Sequence, residues 1–133
     1  MSLYINSPKA ATLIPKLPGP VTDYYVTSFE GILGGHWTDP DDKNWTETIL
    51  YYIEGKNIPF PGLNALSKAA STNRATKNKY SGSSSFHYFQ DYNSSLYISP
   101  MADYTIYLVT FYGDLYTEKN IVTSTFRTGN FVV

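Results

Sequence analysis

The sequence predicts an all-β protein, a sandwich of about seven short antiparallel strands in one domain. Three observations carry that reading. The 133-residue chain holds 13 Tyr, 7 Phe and 2 Trp, residue types that fit a pleated, half-buried surface. Apolar runs are short and stop at Gly, Pro, Asp or Asn after about ten residues. No segment carries the three-to-four-residue apolar spacing of an amphipathic helix of useful length.

Residues 1–20 open the chain with Pro8, Pro15, Pro18 and Pro20. Prolines at that spacing prevent a stable helix and predict an extended arm. Leu3, Tyr4, Ile5, Leu13, Ile14 and Leu17 are more apolar than a purely solvated tail requires. The arm therefore reads either as a disordered leader or as a segment that docks on a neighbouring subunit or scaffold. The sandwich is expected over 21–128, with 129–133 as a tail.

From Val21 the strands follow in order. "VTDYYVTSFEG" alternates loosely and stops at Gly31, and "ILGGHW" stops at "TDPDD". "TETILYYIEG" is a strong strand ending at Gly55, and "NIPFPG" breaks the chain again. Residues 58–96 read as a long irregular insertion. Within it "LNALSKAAS" suits one helical turn or a weak edge strand, and the stretch with Lys68, Arg74, Lys77, Lys79 and Tyr80 is a basic loop. "SFHYFQDY" and "SLYISP" read as extended segments. "DYTIYLVTFYGD" is the strongest strand and "NIVTSTFRT" the last. In "YTIYLVTFY" both faces are apolar: Tyr104, Ile106 and Leu108 on one, Tyr107, Val109 and Phe111 on the other.

Bulk chemistry narrows the function classes. The chain has no cysteine, so disulfides, thiolate metal sites and thiol nucleophiles are excluded. Ten basic and eleven acidic residues give a net charge of −1, which provides no steering toward nucleic acid or anionic lipid. No apolar run approaches the roughly 20 residues of a membrane span, and the N-terminus shows no secretory signal pattern. The expectation is a protein made in a cytoplasm, with no membrane or nucleic-acid partner.

The stretch "GGHWTDPDDKNW" gathers His36, Asp39, Asp41 and Asp42. It lacks the spaced oxygen ligands and distant Glu of a calcium loop, and a lone His is a poor start for a zinc site. A carboxylate pair for glycoside hydrolysis needs one raised pKa, which a solvated loop does not supply. Trp37 is instead expected to end a strand inside the core, with 39–42 as the following solvated turn. "SSSFHYFQD" offers Ser85, His87 and Asp91, but no G-x-S-x-G elbow accompanies them. No catalytic residue, metal or cofactor is assigned.

Taken in order, "ILGGHWTDP", "LYISPMADYTIYLVTFY" and "IVTSTFRTG" resemble a fibronectin type III module over roughly 21–128. The core tryptophan followed by proline, the proline and tyrosine leading into a long strand, and the closing strand ending in threonine carry the resemblance. "WTDPDDKNWTETILYYIEGKNIPFPG" is most similar to the variety found in phage tail, baseplate and tail-fibre proteins. Met101 and Ala102 stand where a glycine turn is common. The resemblance implies an immunoglobulin-like sandwich with Trp37, Tyr104, Ile106, Leu108 and Phe126 in its core.

It also implies a non-enzymatic virion module, made in the host cytoplasm and assembled through its arm with virion proteins or with itself. The tyrosines are the candidate contact surface: Tyr52, Tyr107, Phe111, Tyr112 and Tyr116 on adjacent strands and turns, extended by Tyr80, Tyr88 and Tyr92. Recognition of a host surface polysaccharide through that face is the alternative.

Overall fold

The structure is a computed structural model that describes residues 15–29, 32–74, 84–91 and 99–129. Its strands are β1 (Thr22–Phe29), β2 (Ile32–Thr38), β3 (Glu47–Glu54), β4 (Ser67–Asn73), β5 (Ser84–Asp91), β6 (Asp103–Phe111) and β7 (Val122–Arg127). They form a three-stranded sheet in the order β1-β2-β5 and a four-stranded sheet in the order β4-β3-β6-β7. Every pairing is antiparallel. The stretch expected to be an irregular insertion thus supplies β4, β5 and the 3₁₀ turn Leu63–Ala65. Its strand signal is faint because β4, "SKAASTN", is an edge strand built from small and polar residues.

The space between the sheets is filled by Val21, Trp37, Leu50, Tyr52, Tyr104, Ile106 and Leu108, with Tyr24, Ala69 and Phe126 packed against them. Period-two alternation puts Tyr104, Ile106 and Leu108 on one face of β6. Trp37 is fully buried. Two residues on, and so facing the same way, Asp39 is also buried, at 2% exposure. It is not in the solvated turn expected of it. Its Oδ1 accepts the Trp37 indole N–H at 2.8 Å and the Thr72 hydroxyl at 2.9 Å. Trp37 belongs to one sheet and Thr72 to the other, so one carboxylate ties the two layers together where β2 ends.

Tyr104 closes the opposite end. Its hydroxyl accepts the Ser99 N–H at 2.7 Å, the corner that fixes the loop entering a long strand in many sandwiches. Thr128 donates to Ser99 O at 2.7 Å and accepts from Ala102 N–H at 2.9 Å. Met101 between them has φ 55°, the left-handed conformation that favours glycine at this turn.

A second apolar layer lies on the outer face of the four-stranded sheet. Ile49, Tyr51, Tyr107, Val109 and Phe111 are buried there, under Phe60, Leu63, Leu66, Tyr116 and Ile121. The chain folds back over that face because β3 ends in a turn, with Gly55 at φ 129° and Asn57 at φ 54°. The Thr105 hydroxyl pins the turn by donating to Gly55 O at 2.8 Å and accepting from Ile58 N–H at 3.1 Å. Tyr107 OH then donates to Ile58 O.

This covering corrects the expected tyrosine surface. Tyr52 points into the inter-sheet core, and Tyr107 and Phe111 are buried beneath the 58–66 strap. Tyr116 packs edge-on to Phe60 and Phe111, with ring centroids 6.1 and 5.6 Å apart. Of the patch residues whose side chains are described, Tyr112 alone is exposed.

The end of the expected arm lies against the sandwich. Residues 15–20 are part of the sandwich end, with Leu17 half-buried and Pro18 buried. Leu3, Tyr4, Ile5, Leu13 and Ile14 lie outside the described residues, as do Tyr80, Tyr92 and most of "SLYISP".

Candidate interaction surface

Three segments meet at the end of the sandwich where β1 and β7 begin: 15–20, the 39–46 turn after β2, and the 112–121 connection between β6 and β7. Gly19 N–H donates to Asp42 Oδ2 at 2.7 Å, and Gly19 O accepts the Thr110 hydroxyl at 2.9 Å. Pro18 O accepts the Asn120 amide at 2.9 Å, and Asn44 donates to Lys16 O. Prolines remove backbone donors, so side chains from the turns must supply the bonds that hold this segment. Between the three segments lies a cleft of about 620 Å³ lined by Pro15, Leu17, Asp42, Thr117 and Lys119.

The 39–46 turn is itself braced. Trp45 is fully buried and its indole N–H donates to Thr48 Oγ1 at 2.8 Å. Arg74 sits over the Trp45 ring, 5.6 Å from its centroid, and donates to the carbonyls of Asp42 and Lys43 at 2.7 Å each. Arg74, expected in a solvated basic loop, is therefore a brace, and Lys68 lies on β4. Lys77 and Lys79 fall outside the described residues.

Two further exposed features stand apart. On the three-stranded sheet Tyr25, 51% exposed, stacks on His36 at 5.0 Å with an interplanar angle of 18°. His36 points outward because its neighbour Trp37 points in. Tyr88 lies on β5, the strand next to β2, and only its backbone is described. At the tip of the β6–β7 connection Tyr112 and Leu115 bracket a tight turn at Gly113, φ 61°. Both side chains are open to solvent.

The buried hydroxyls show what the packing does to titration. Burial pushes the Tyr24 pKa well above the ordinary tyrosine range, with Ser124 opposing. Its hydroxyl makes no hydrogen bond of normal geometry among the described residues. Tyr107 is raised by burial, and Tyr51 by burial and then by Glu47 and Tyr116. Among the described residues no three His, Asp or Glu side chains converge as a metal ion would require.

What reasoning from the sequence missed is this end as a built unit. The signal available was the proline run itself, because a chain without its own donors needs Asn, Asp or Thr elsewhere to hold it.

Neither a family model nor a curated protein matches the sequence. Solved structures do match in shape. The solution structure of the fourth FNIII domain of a human protein superposes with a TM-score of 0.53 at 12% identity, over 96% of this chain and 89% of that one. The crystal structure of domains d3–d4 of the rat CD45 extracellular region gives a TM-score of 0.49 at 15% identity, over 85% of this chain. The chain spans 51% of that fragment. The strand order, the buried tryptophan and the tyrosine corner define the class, an immunoglobulin-like β-sandwich. Its particular form is fibronectin type III-like.

Proposed function

We propose that the chain is a non-enzymatic structural or adhesion module that assembles through its N-terminal arm, and that it serves in a phage particle as a capsid, neck or tail component. One observation carries the assembly reading. Residues 15–20 are fastened to the sandwich by four side chains, Asn44, Asp42, Thr110 and Asn120. Whatever holds residues 1–14 therefore also orients the sandwich. Two of the acidic residues weighed for catalysis are otherwise engaged: Asp39 joins the sheets and Asp42 holds Gly19. The phage setting rests on the "WTDPDDKNW" resemblance. The test is capture of neighbouring virion proteins, encoded beside the gene, by the whole chain and by a chain starting at Pro15. Capture by the first and not the second is expected. Equal capture, or none by either, contradicts the proposal.

A second reading, recognition of a host-surface glycan, is favoured by the open Tyr25 ring stacked on His36. A flat aromatic face suits the C–H face of a sugar. Titration with wall polysaccharide to millimolar concentration, with Tyr25→Ala beside it, tests this reading. Unchanged binding by the variant removes it.

A further inference from the structure

The edge strand β1 is broken where it starts. Its register with β2 shifts between Thr22 and Tyr25, and Asp23 within the shift has φ 52°. A left-handed backbone is unfavourable for a residue with a β-carbon and persists only where its neighbours hold it. Here they do. The Asp23 carbonyl meets His36 Nδ1 at 3.3 Å, and Asp23 Oδ2 accepts the Thr38 hydroxyl at 3.3 Å. A bulge re-aims side chains, and this one joins Asp23 to the face that carries Tyr25, His36 and Thr38. Tyr25 and His36 are direct cross-strand partners, and Thr38 follows His36 by two positions, so the three share one side of the sheet.

The bonds at the bulge decide what is left open. A carbonyl oxygen only accepts, so His36 Nδ1 carries the proton, and in the neutral ring Nε2 is an acceptor. Asp23 Oδ1 is a second acceptor. Neither atom has a hydrogen-bond partner among the described residues. Tyr25 lays one face on the His36 ring, with centroids 5.0 Å apart, and is still 51% exposed. Two acceptors therefore stand beside an open aromatic ring. Charge narrows the ligand further. β1, β2 and β5 contain no Lys or Arg, and their carboxylates are Asp23 and Asp91. The basic residues on strands, Lys68 and Arg127, belong to the other sheet. A phosphate or carboxylate brought to Tyr25 meets the Asp23 carboxylate with no cation on these strands to offset it, and like charges in contact are costly.

We propose that this face binds uncharged sugar rings: Tyr25 meets the C–H face of a pyranose, and Asp23 Oδ1 and His36 Nε2 accept from its hydroxyls. The inference rests on the glycan reading above and narrows it to neutral polysaccharide, against the acidic polymers of cell walls. Asp23 sets the preference, because a hydroxyl bonded to a carboxylate makes a charge-assisted bond that an acidic group in the same place cannot make. Tyr25 supplies area and is indifferent to which neutral sugar lies on it.

Calorimetric titration of the whole chain tests the proposal with two neutral polysaccharides, dextran and mannan, and two acidic ones, polygalacturonate and poly(glycerol phosphate). Tyr25→Ala and Asp23→Asn are titrated beside it. Asn adopts the left-handed conformation readily, so Asp23→Asn keeps the bulge and removes the charge. An unchanged melting temperature in each variant reports an intact fold. The expected result is binding of at least one neutral polymer at millimolar sugar and of neither acidic one. Tyr25→Ala should weaken that binding by about tenfold or more, the usual effect of truncating an aromatic anchor. Asp23→Asn should weaken it by about fivefold, because a neutral bond replaces a charge-assisted one. Binding of an acidic polymer that Tyr25→Ala abolishes overturns the proposal and leaves the glycan reading standing. Neutral binding that is lost in Tyr25→Ala but unchanged in Asp23→Asn does the same. No binding of any of the four polymers, or binding that Tyr25→Ala leaves unchanged, overturns both.

Discussion

Replacing Asp39 by Ala removes the acceptor that the Trp37 indole and the Thr72 hydroxyl share. Both donors are enclosed, and a buried donor stripped of a bond costs more than the net worth of the bond. The expected loss is about 2–4 kcal/mol in urea unfolding, a large share of the roughly 5–15 kcal/mol that holds a domain together. A loss below about 0.5 kcal/mol, typical of an exposed turn residue, would refute the inter-sheet role. Tyr24 runs the other way. Its buried hydroxyl lacks a well-formed bond, so Tyr24→Phe should raise stability by about 1 kcal/mol through relief of the desolvation cost. A destabilisation of that size would show that Ser124 or another group does bond it.

At the level of elements, the 58–66 strap decides which tyrosines meet solvent. Phe60 packs edge-on against Tyr107 and Tyr116, with ring centroids 5.7 and 6.1 Å apart. Phe60→Ala should cost about 2 kcal/mol, less than a fully enclosed Phe because this ring is half-buried. It should also make Tyr107 accessible to a water-soluble quencher. Unchanged stability and quenching would mean that the strap is not a lid on this face.

The strap also explains the limits of the sequence at this scale. The boundaries of β1, β2, β3 and β6 were legible because Gly, Pro or Asp stop those runs, and Trp37 was legible as core because the proline turn after it ends a strand. Alternation along β3 and β6 could not say which face was outward, since both faces are apolar and both are buried. A strand that is apolar on both sides implies cover on both sides. The cover lay in "NIPFPGLNAL", whose Phe60, Leu63 and Leu66 sit among the prolines and glycines of an apparent break. The seating of 15–20 was hidden for a related reason: its partners Thr110 and Asn120 are about a hundred positions away.

For the whole molecule, the buried tyrosines set an alkaline limit. Tyr24 in the folded state ionises above the ordinary 10.0 of an unfolded tyrosine. The unfolded chain therefore releases this proton first. The contribution is fully present below pH 10 and is lost as pH rises beyond it, by up to about 1.4 kcal/mol per pH unit. Tyr51 and Tyr107 are shifted in the same direction. Unfolding free energy measured from pH 7 to 11.5 should stay level to about pH 10 and then fall. In Tyr24→Phe the fall should be shallower, and an identical slope would remove Tyr24 as a cause.

The proposed assembly through the arm also belongs to the whole molecule, because residues 15–20 are fastened to the sandwich. Light scattering across a concentration series, on the whole chain and on the Leu3→Ser, Tyr4→Ser, Ile5→Ser variant, tests that claim most directly. The expected result is a defined oligomer for the whole chain and a monomer of unchanged melting temperature for the variant. The same mass for both chains, whether monomer or oligomer, would contradict it.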